Sequence, residues 1–506
     1  MQPLHDLRIE EALLRRAAVS PDALALEDLD RRLSYGALLS WASAFADLLL
    51  QRGCRRGDHV AVFLDKSFEQ VVALLGIWLA GGVAVPIAPT LKRQQLEYIV
   101  THSESVFLVS TPFKLRRAFA DFLATPEAPG MPALIAVPEP GQAAHAPPAP
   151  VEPGRDEAAA LLYTSGSTGL PKGVVVSHEN LCAGARIVSG YLEIRPDDRI
   201  LSVLPFSFDY GLNQLLISVR AGACLVLQRS LRAVDIVLTL ERAAITVLAG
   251  VPTLWLQLLD PMSGFERTAL PALRIMTNTG GVFPVEAVRR YRQRLPDCRI
   301  FLMYGLTEAF RSTFLPPAQI DERPSSMGKA IPECEMLVVD DSGAIVAPGQ
   351  PGELVHRGPT VSLGYWRDPD ATAHKFRPDP LDPSAARPVV YSGDIVQKDE
   401  EGYLYFVGRR DQMIKAYGYR ISPNEVESLI FQSGWVREVV VVGVADELAG
   451  QRTVAYCIPG DGFSADALMA FCRREMPSYM IPREIIACDD FPRTGSGKVD
   501  RVRVGA

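Results

Sequence analysis

No stretch of the 506-residue chain approaches the roughly eighteen consecutive apolar residues of a membrane-spanning helix, so no span is expected. The first 26 residues, MQPLHDLRIEEALLRRAAVSPDALAL, lack the apolar core of a secretory leader. The eight cysteines are scattered and none forms a CxxC pair, which predicts free, largely buried thiols in a reducing cytoplasm. With seven dispersed histidines, no metal-ligand cluster of cysteine and histidine is expected. Nor is there an excess of positive charge. The net charge of −7 and 22% charged residues argue against a general nucleic-acid grip. Two common nucleotide signatures are also missing. There is no GxxxxGK[ST] loop, and no GxGxxG follows a strand.

What is present begins with a large apolar fraction, 48%, over a length that suggests more than one domain. Short apolar segments alternate with helical ones. HVAVFLD (59–65), VAVPI (83–87) and VFLVS (106–110) read as strands, as do ILSVLPFS, ACLVLQ, ITVLAGVP, LRIMTNTGG and RIFLMYG further on. Each ends in a polar or glycine-containing loop. The fold class predicted is α/β, with mainly parallel subdomains in a large N-terminal domain. Residues 125–155, rich in Pro, Ala and Gly, read as a surface connection. Around 336–365 the turn-separated strands suggest an antiparallel β subdomain. After GRRDQMIK the texture changes again, to a small α+β domain. The expected division is residues 1–410 and 411–506.

Residues 163–173 read YTSGSTGLPKG. Gly166, Gly169 and Gly173 allow backbone amides to face an anion closely. Thr164, Ser165, Ser167 and Thr168 add hydroxyl donors, and Lys172 adds positive charge. Lys172 lies between Pro171 and Gly173, so the loop differs from the common phosphate loop in its wiring.

This string resembles the phosphate loop of the adenylate-forming superfamily, which includes acyl-CoA synthetases, luciferases and the adenylation domains of peptide synthetases. Four further motifs follow in the family's order: YGLTE (304–308), YSGD (391–394), GRRDQMIKAYGYRI (408–421) and PRTGSGKVDR (492–501). The resemblance covers nearly the whole chain. It implies attack of a carboxylate on the α-phosphate of ATP, giving an acyl-adenylate and pyrophosphate, with Mg²⁺ as cofactor. Catalysis of such a step is mostly charge neutralisation and alignment.

By the resemblance, the loop from Thr164 through Ser165, Gly166, Ser167, Thr168, Gly169 and Lys172 holds the β- and γ-phosphates. Thr307 contacts phosphate and Glu308 helps hold Mg²⁺, a hard cation suited to oxygen ligands. Tyr304, with Gly305 beside it, stacks on adenine, and Gly280 and Gly281 pass close to the base. Asp394 takes the ribose hydroxyls. Arg409 contacts ribose or phosphate, and Lys415 is a further nucleotide-side lysine. Lys498 matches the catalytic lysine that bridges the substrate carboxylate and the α-phosphate. Asp411 matches the hinge about which the C-terminal domain rotates between half-reactions, and Gly418 faces the thiol entry path.

The substrate clue is LPFSFDYGLNQ (204–214). Many fatty and aryl acid ligases carry an aromatic–histidine pair near here, whereas this chain has Phe208–Asp209. That resembles the FD motif of amino-acid adenylation domains, whose aspartate pairs with the substrate ammonium. A buried carboxylate needs such a partner. Phe208 and Tyr210 add aromatic faces. Asp209 has another reading, as the cap of a helix beginning at Tyr210. Arg311 has three: it pairs with Asp209, binds a second acidic group on the substrate, or faces outward. A neutral amino acid such as proline and an amino acid with a second carboxylate therefore both stay open. No carrier segment with a serine-bearing helix follows Lys498, so the thiol is expected from outside: the phosphopantetheine arm of a separate carrier protein, or CoA for a plain acyl chain. Arg56, Arg410 and Arg437 are candidate contacts for an acidic carrier. The remaining alternatives are an AMP-forming acyl-CoA synthetase and a non-catalytic nucleotide-binding protein.

Overall fold

A computed structural model describes residues 8–118, 132–141, 146–148, 156–164, 171–410, 412–416, 419–446, 450–494 and 497–504. Most of the 125–155 connection lies outside these residues. So do Ser165, Gly166, Ser167, Thr168, Gly169, Asp411 and Gly418.

Three sheets organise the described chain. The first has seven strands, in the order Gly364–Tyr365, Lys172–Ser177, Ala158–Thr164, Val83–Pro86, His59–Val62, Phe107–Val109 and Ala133–Ile135. Its middle is parallel, as the alternation of strands and helices predicts. The strand Ala158–Thr164 instead pairs antiparallel with Lys172–Ser177, with Thr164 opposite Lys172. The two described ends of the glycine- and hydroxyl-rich motif are therefore paired across antiparallel strands.

The second sheet has fourteen strands. Its parallel half contains Arg199–Ser202, Val247–Gly250, Ile275–Asn278 and Arg299–Leu306. Its antiparallel half contains Glu335–Val339, Pro351–Arg357, Val389–Lys398 and Leu404–Arg409. The switch of direction falls at Thr307–Glu308, where Leu306 pairs with Ala309 and the chain reverses into Ala309–Leu315. A parallel sheet binds ligands outside the carboxyl ends of its strands. Here YGLTE delivers Thr307 and Glu308 to that edge as a two-residue turn.

The third sheet has five strands, among them Ile414–Ala416, Val436–Asp446 and Gly450–Pro459. Helices Pro423–Phe431 and Ala465–Glu475 pack on it. Its apolar core, built from Ile414, Val426, Ile430, Val441 and Leu468, is separate from the main one. Leu404–Arg409 belongs to the fourteen-stranded sheet and Ile414–Ala416 to the small one, so the chain passes between them at 410–413. All eight cysteines are free thiols. No described helix is long and apolar enough to cross a membrane.

Candidate active site

The helix Asp209–Ala221 starts immediately after a tight corner. Phe208 is its extended N-cap residue, and Gly211 fits because a Cβ there would stand 2.1 Å from the Pro205 carbonyl oxygen. The corner is held from below by a lysine that the motifs do not reveal. Lys66 Nζ donates to the carbonyls of Ser202 at 2.7 Å and Leu204 at 2.5 Å. Burial drives its ammonium well below the ordinary lysine range. At the other side, the Tyr210 hydroxyl donates to the Thr277 carbonyl at 2.8 Å, tying the helix to Ile275–Asn278.

Asp209 is the first residue of this helix rather than its cap. Its carboxylate accepts a hydrogen bond from Arg311 Nη1 at 3.1 Å, and both side chains are under 5% exposed. Of the three readings of Arg311, this geometry matches pairing with Asp209 and excludes the outward-facing one. Tyr210 and Phe310 lie against the guanidinium, with ring centroids 4.9 and 5.2 Å from Cζ.

Lys498 reaches the same place from the small C-terminal body. Its Nζ lies 5.1 Å from the centroid of the Phe208 ring. Its tip passes Gly280 so closely that a Cβ there would meet Lys498 Cε at 2.8 Å. The Lys498 loop is anchored by the Thr253 hydroxyl, which donates to the Gly497 carbonyl at 3.1 Å. Burial pushes the Lys498 ammonium below the ordinary lysine range, and the Asp209 carboxylate is the first group opposing that push, followed by Asp394. Gly281 lies next to Pro252.

Tyr304, Asp394 and Arg409 form a second set of neighbours. The Tyr304 hydroxyl donates to the Asp394 carboxylate in a short hydrogen bond. Burial, then the Asp394 charge, hold that phenol well above its usual range. Asp394 stands opposite Arg409 in the strand pairing, with Arg409 Nε 3.7 Å from its carboxylate. Gly305 adjoins Arg311. The Tyr365 hydroxyl donates to Glu308, and the Glu308 carbonyl accepts from the Ser362 amide at 2.9 Å. Lys172 Nζ lies 3.2 Å from Asp368 and 5.3 Å from the Tyr365 ring centre. The backbone of Lys415 lies in strand Ile414–Ala416.

Several neighbours were not identified from sequence. Lys375 donates to the Ser392 carbonyl at 2.5 Å, just before Asp394, and burial lowers its pKa against the pull of Glu308. His356 packs 5.8 Å from Tyr304, kept neutral by burial that lowers its pKa to about 3. Neither sits in a motif of contrasting residue types, so only spatial proximity reveals them. The arginines considered for carrier contact are all engaged within the chain: Arg56 with Glu157, Arg410 with Asp341 and Glu353, and Arg437 with Asp260.

A buried lysine tip, a tyrosine–aspartate pair and a threonine–glutamate turn thus come together at the carboxyl edge of a parallel sheet. The chain belongs to the AMP-binding enzyme family: the family's model matches residues 13–366, and its C-terminal-domain model matches residues 425–498. It is an AMP-forming ligase by class. It is 30% identical over 502 residues to a linear gramicidin synthase of Brevibacillus parabrevis, matching 98% of this chain and 10% of that protein. The chain thus spans about a tenth or less of the peptide synthetases it first matches. It is 26% identical to the long-chain-fatty-acid–CoA ligase of Bacillus subtilis, matching 99% of this chain and 95% of that one. Among solved structures, it resembles o-succinylbenzoate coenzyme A synthetase from Bacillus subtilis in complex with ATP and magnesium ion. That likeness has a TM-score of 0.84 at 28% identity and covers 98% of this chain and 99% of that one.

Proposed function

We propose that the protein adenylates the carboxylate of an amino acid with ATP and passes the aminoacyl group to the phosphopantetheine thiol of a separate carrier protein. The observation that carries the amino-acid reading is Asp209. It is a carboxylate only 3% exposed, close enough to the Lys498 tip to oppose in part the lowering of that lysine's pKa by burial. Arg311 holds one oxygen of this carboxylate through Nη1, and a substrate ammonium is the second cation that the buried group would meet. The 30% identity to a gramicidin synthase supports the same reading.

In the first step a substrate carboxylate oxygen attacks the α-phosphorus, the bond to the bridging oxygen breaks, and pyrophosphate leaves. Lys498, coming between the acyl and nucleotide sides, neutralises charge on both oxygens that meet. Tyr304 offers its ring to adenine. Asp394 turns its carboxylate to the ribose hydroxyls, and Arg409 opposes it. Thr164, Thr307 and Lys172 face the phosphates together with the loop 165–169. Glu308 would hold a hard divalent cation through its carboxylate, which stands on a half-buried turn and is oriented by the hydrogen bond it accepts from Tyr365. Such an ion would help neutralise the charge of the departing pyrophosphate. In the second step the C-terminal domain turns about Asp411 and withdraws Lys498. The Gly418 region then lines the thiol path, the thiolate attacks the acyl carbon, and AMP leaves.

A second reading, a CoA ligase for a simple carboxylic acid, has in its favour the end-to-end likeness to a fatty-acid–CoA ligase. Pyrophosphate exchange across amino acids and simple carboxylic acids separates the two. Exchange driven by amino acids is expected; exchange driven solely by acids without an amino group overturns the amino-acid reading. Supplying CoA or a phosphopantetheinylated carrier in the same assay identifies the acceptor.

A further inference from the structure

The buried Asp209–Arg311 pair uses only part of the guanidinium. Nη1 is taken by Asp209, and Tyr210 and Phe310 lie against Cζ. Nε and Nη2, which form one edge of the fork, have no acceptor among the described residues. The side chain is 3% exposed, so water does not reach that edge freely. One helical turn beyond Asp209, Asn213 is fully buried, and its amide nitrogen and oxygen are also both without partners among the described residues. Residues four apart on a helix share a face about 5–6 Å apart at Cβ. The unmet donors and acceptor therefore belong to helix and strand positions flanking one carboxylate.

Buried polar groups left unmade cost about 1–3 kcal/mol each, and native interiors carry few of them. Two such residues, one paired with Asp209 and the other one helical turn further on, point to a polar ligand group. Charge then selects its kind. Arg311 already neutralises Asp209. A substrate bringing an ammonium alone would put a second cation on Asp209 and leave the Nε–Nη2 edge empty. A substrate bringing an ammonium and a further carboxylate makes two balanced pairs, and the planar edge of arginine matches a carboxylate in two parallel hydrogen bonds.

We infer that the acid activated here is an amino acid with a second carboxylate on its side chain. Asp209 meets the ammonium, the Nε–Nη2 edge of Arg311 takes the side-chain carboxylate, and Asn213 bridges the two through its amide. This inference rests on the amino-acid reading above and narrows it.

The test is pyrophosphate exchange by the wild-type protein with aspartate and glutamate, their side-chain amides, neutral amino acids, and dicarboxylic acids without an amino group. Dicarboxylic amino acids are expected to exceed their amides and the neutral amino acids by about 100-fold or more in kcat/KM, because a site built to pair a polar group rejects analogues lacking it. Arg311→Lys, which keeps the charge and loses the fork, is expected to reduce that preference at least about tenfold with the melting temperature checked alongside. If neutral amino acids exchange as well as dicarboxylic ones, this inference fails while the amino-acid reading stands. If only acids without an amino group exchange, both fail. An Arg311→Lys variant that folds and keeps the full preference also overturns the assignment of Arg311.

Discussion

Lys498 and Phe208 come from different bodies of the molecule, yet the lysine ammonium lies 5.1 Å from the centre of the phenyl ring. The lysine of the C-terminal body therefore lies against the corner that leads into Asp209. On the proposed function, that is the arrangement adenylation needs, and a thiol approaching from the same side must wait for Lys498 to leave.

The first prediction separates the half-reactions. Lys498→Ala is expected to lower pyrophosphate exchange by roughly 100- to 1,000-fold, the order found when one preorganised charge-stabilising donor is removed. Thioester formation from preformed acyl-adenylate is expected to stay within a few-fold of wild type. Equal loss of both activities would contradict a lysine that serves adenylation alone.

The second concerns pH. On the proposed function adenylation requires the charged form of Lys498, and burial lowers its pKa from the ordinary lysine value. Activity is then present below the shifted pKa and lost as pH rises through it. The alkaline limb of kcat/KM for exchange is expected at lower pH than a solvated lysine gives, since this profile reports the free enzyme. Lys498→Arg, if active, should move the limb upward. The thioester half-reaction from preformed adenylate should lack it.

The third concerns the buried pair. Asp209→Ala leaves Arg311 without its carboxylate in a dry interior, which costs about 3–5 kcal/mol in comparable sites. A lowered melting temperature is expected along with lost exchange on amino acids. The double variant D209N/R311Q, which removes both charges, should recover much of the stability and none of the amino-acid activity. Recovery of activity with stability would make the pair structural.

These sites differ in how far the sequence exposes them. Tyr304, Glu308, Asp394 and Lys498 are picked out by the resemblance of their motifs to those of the adenylate-forming family, and the structure sets Tyr304 against Asp394 and brings Lys498 to Phe208. The parallel strands are legible from short apolar runs ending in polar loops. The reversal at Thr307–Glu308 is less so, because RIFLMYG reads equally well as a strand leading to a helix. The Asp209–Arg311 pairing is visible only as one option among several, since sequence separation carries no distance. Lys66 is invisible, as a lone lysine after a strand reads as a solvated charge until its carbonyl partners are seen.

That hidden lysine gives the fourth prediction. Lys66→Met removes two hydrogen bonds to the carbonyls of Ser202 and Leu204, which hold the corner leading into Phe208 and Asp209. Lys66 spends its hydrogen bonds on that corner and not on Asp209 or Lys498, so its effect is positional. The KM for the acid is expected to rise about tenfold with the KM for ATP changed less, a split that a loss of folded protein would not produce.

The last prediction uses Gly280 as a steric switch. Its φ of +83° is a left-handed conformation that suits glycine, and a Cβ added there would stand 2.8 Å from Lys498 Cε and 3.3 Å from Val251 Cγ1. The first contact is with the tip of a flexible side chain, the second with a buried core residue. Lys498 is therefore the partner that yields. Gly280→Ala is expected to weaken insertion of Lys498, lowering exchange at least about tenfold while sparing thioester formation from preformed adenylate. Combined with Lys498→Ala, it should add little further loss, since both remove the same interaction. Independent, multiplying losses in the double variant would show that the glycine serves the adenine or backbone geometry instead of the lysine.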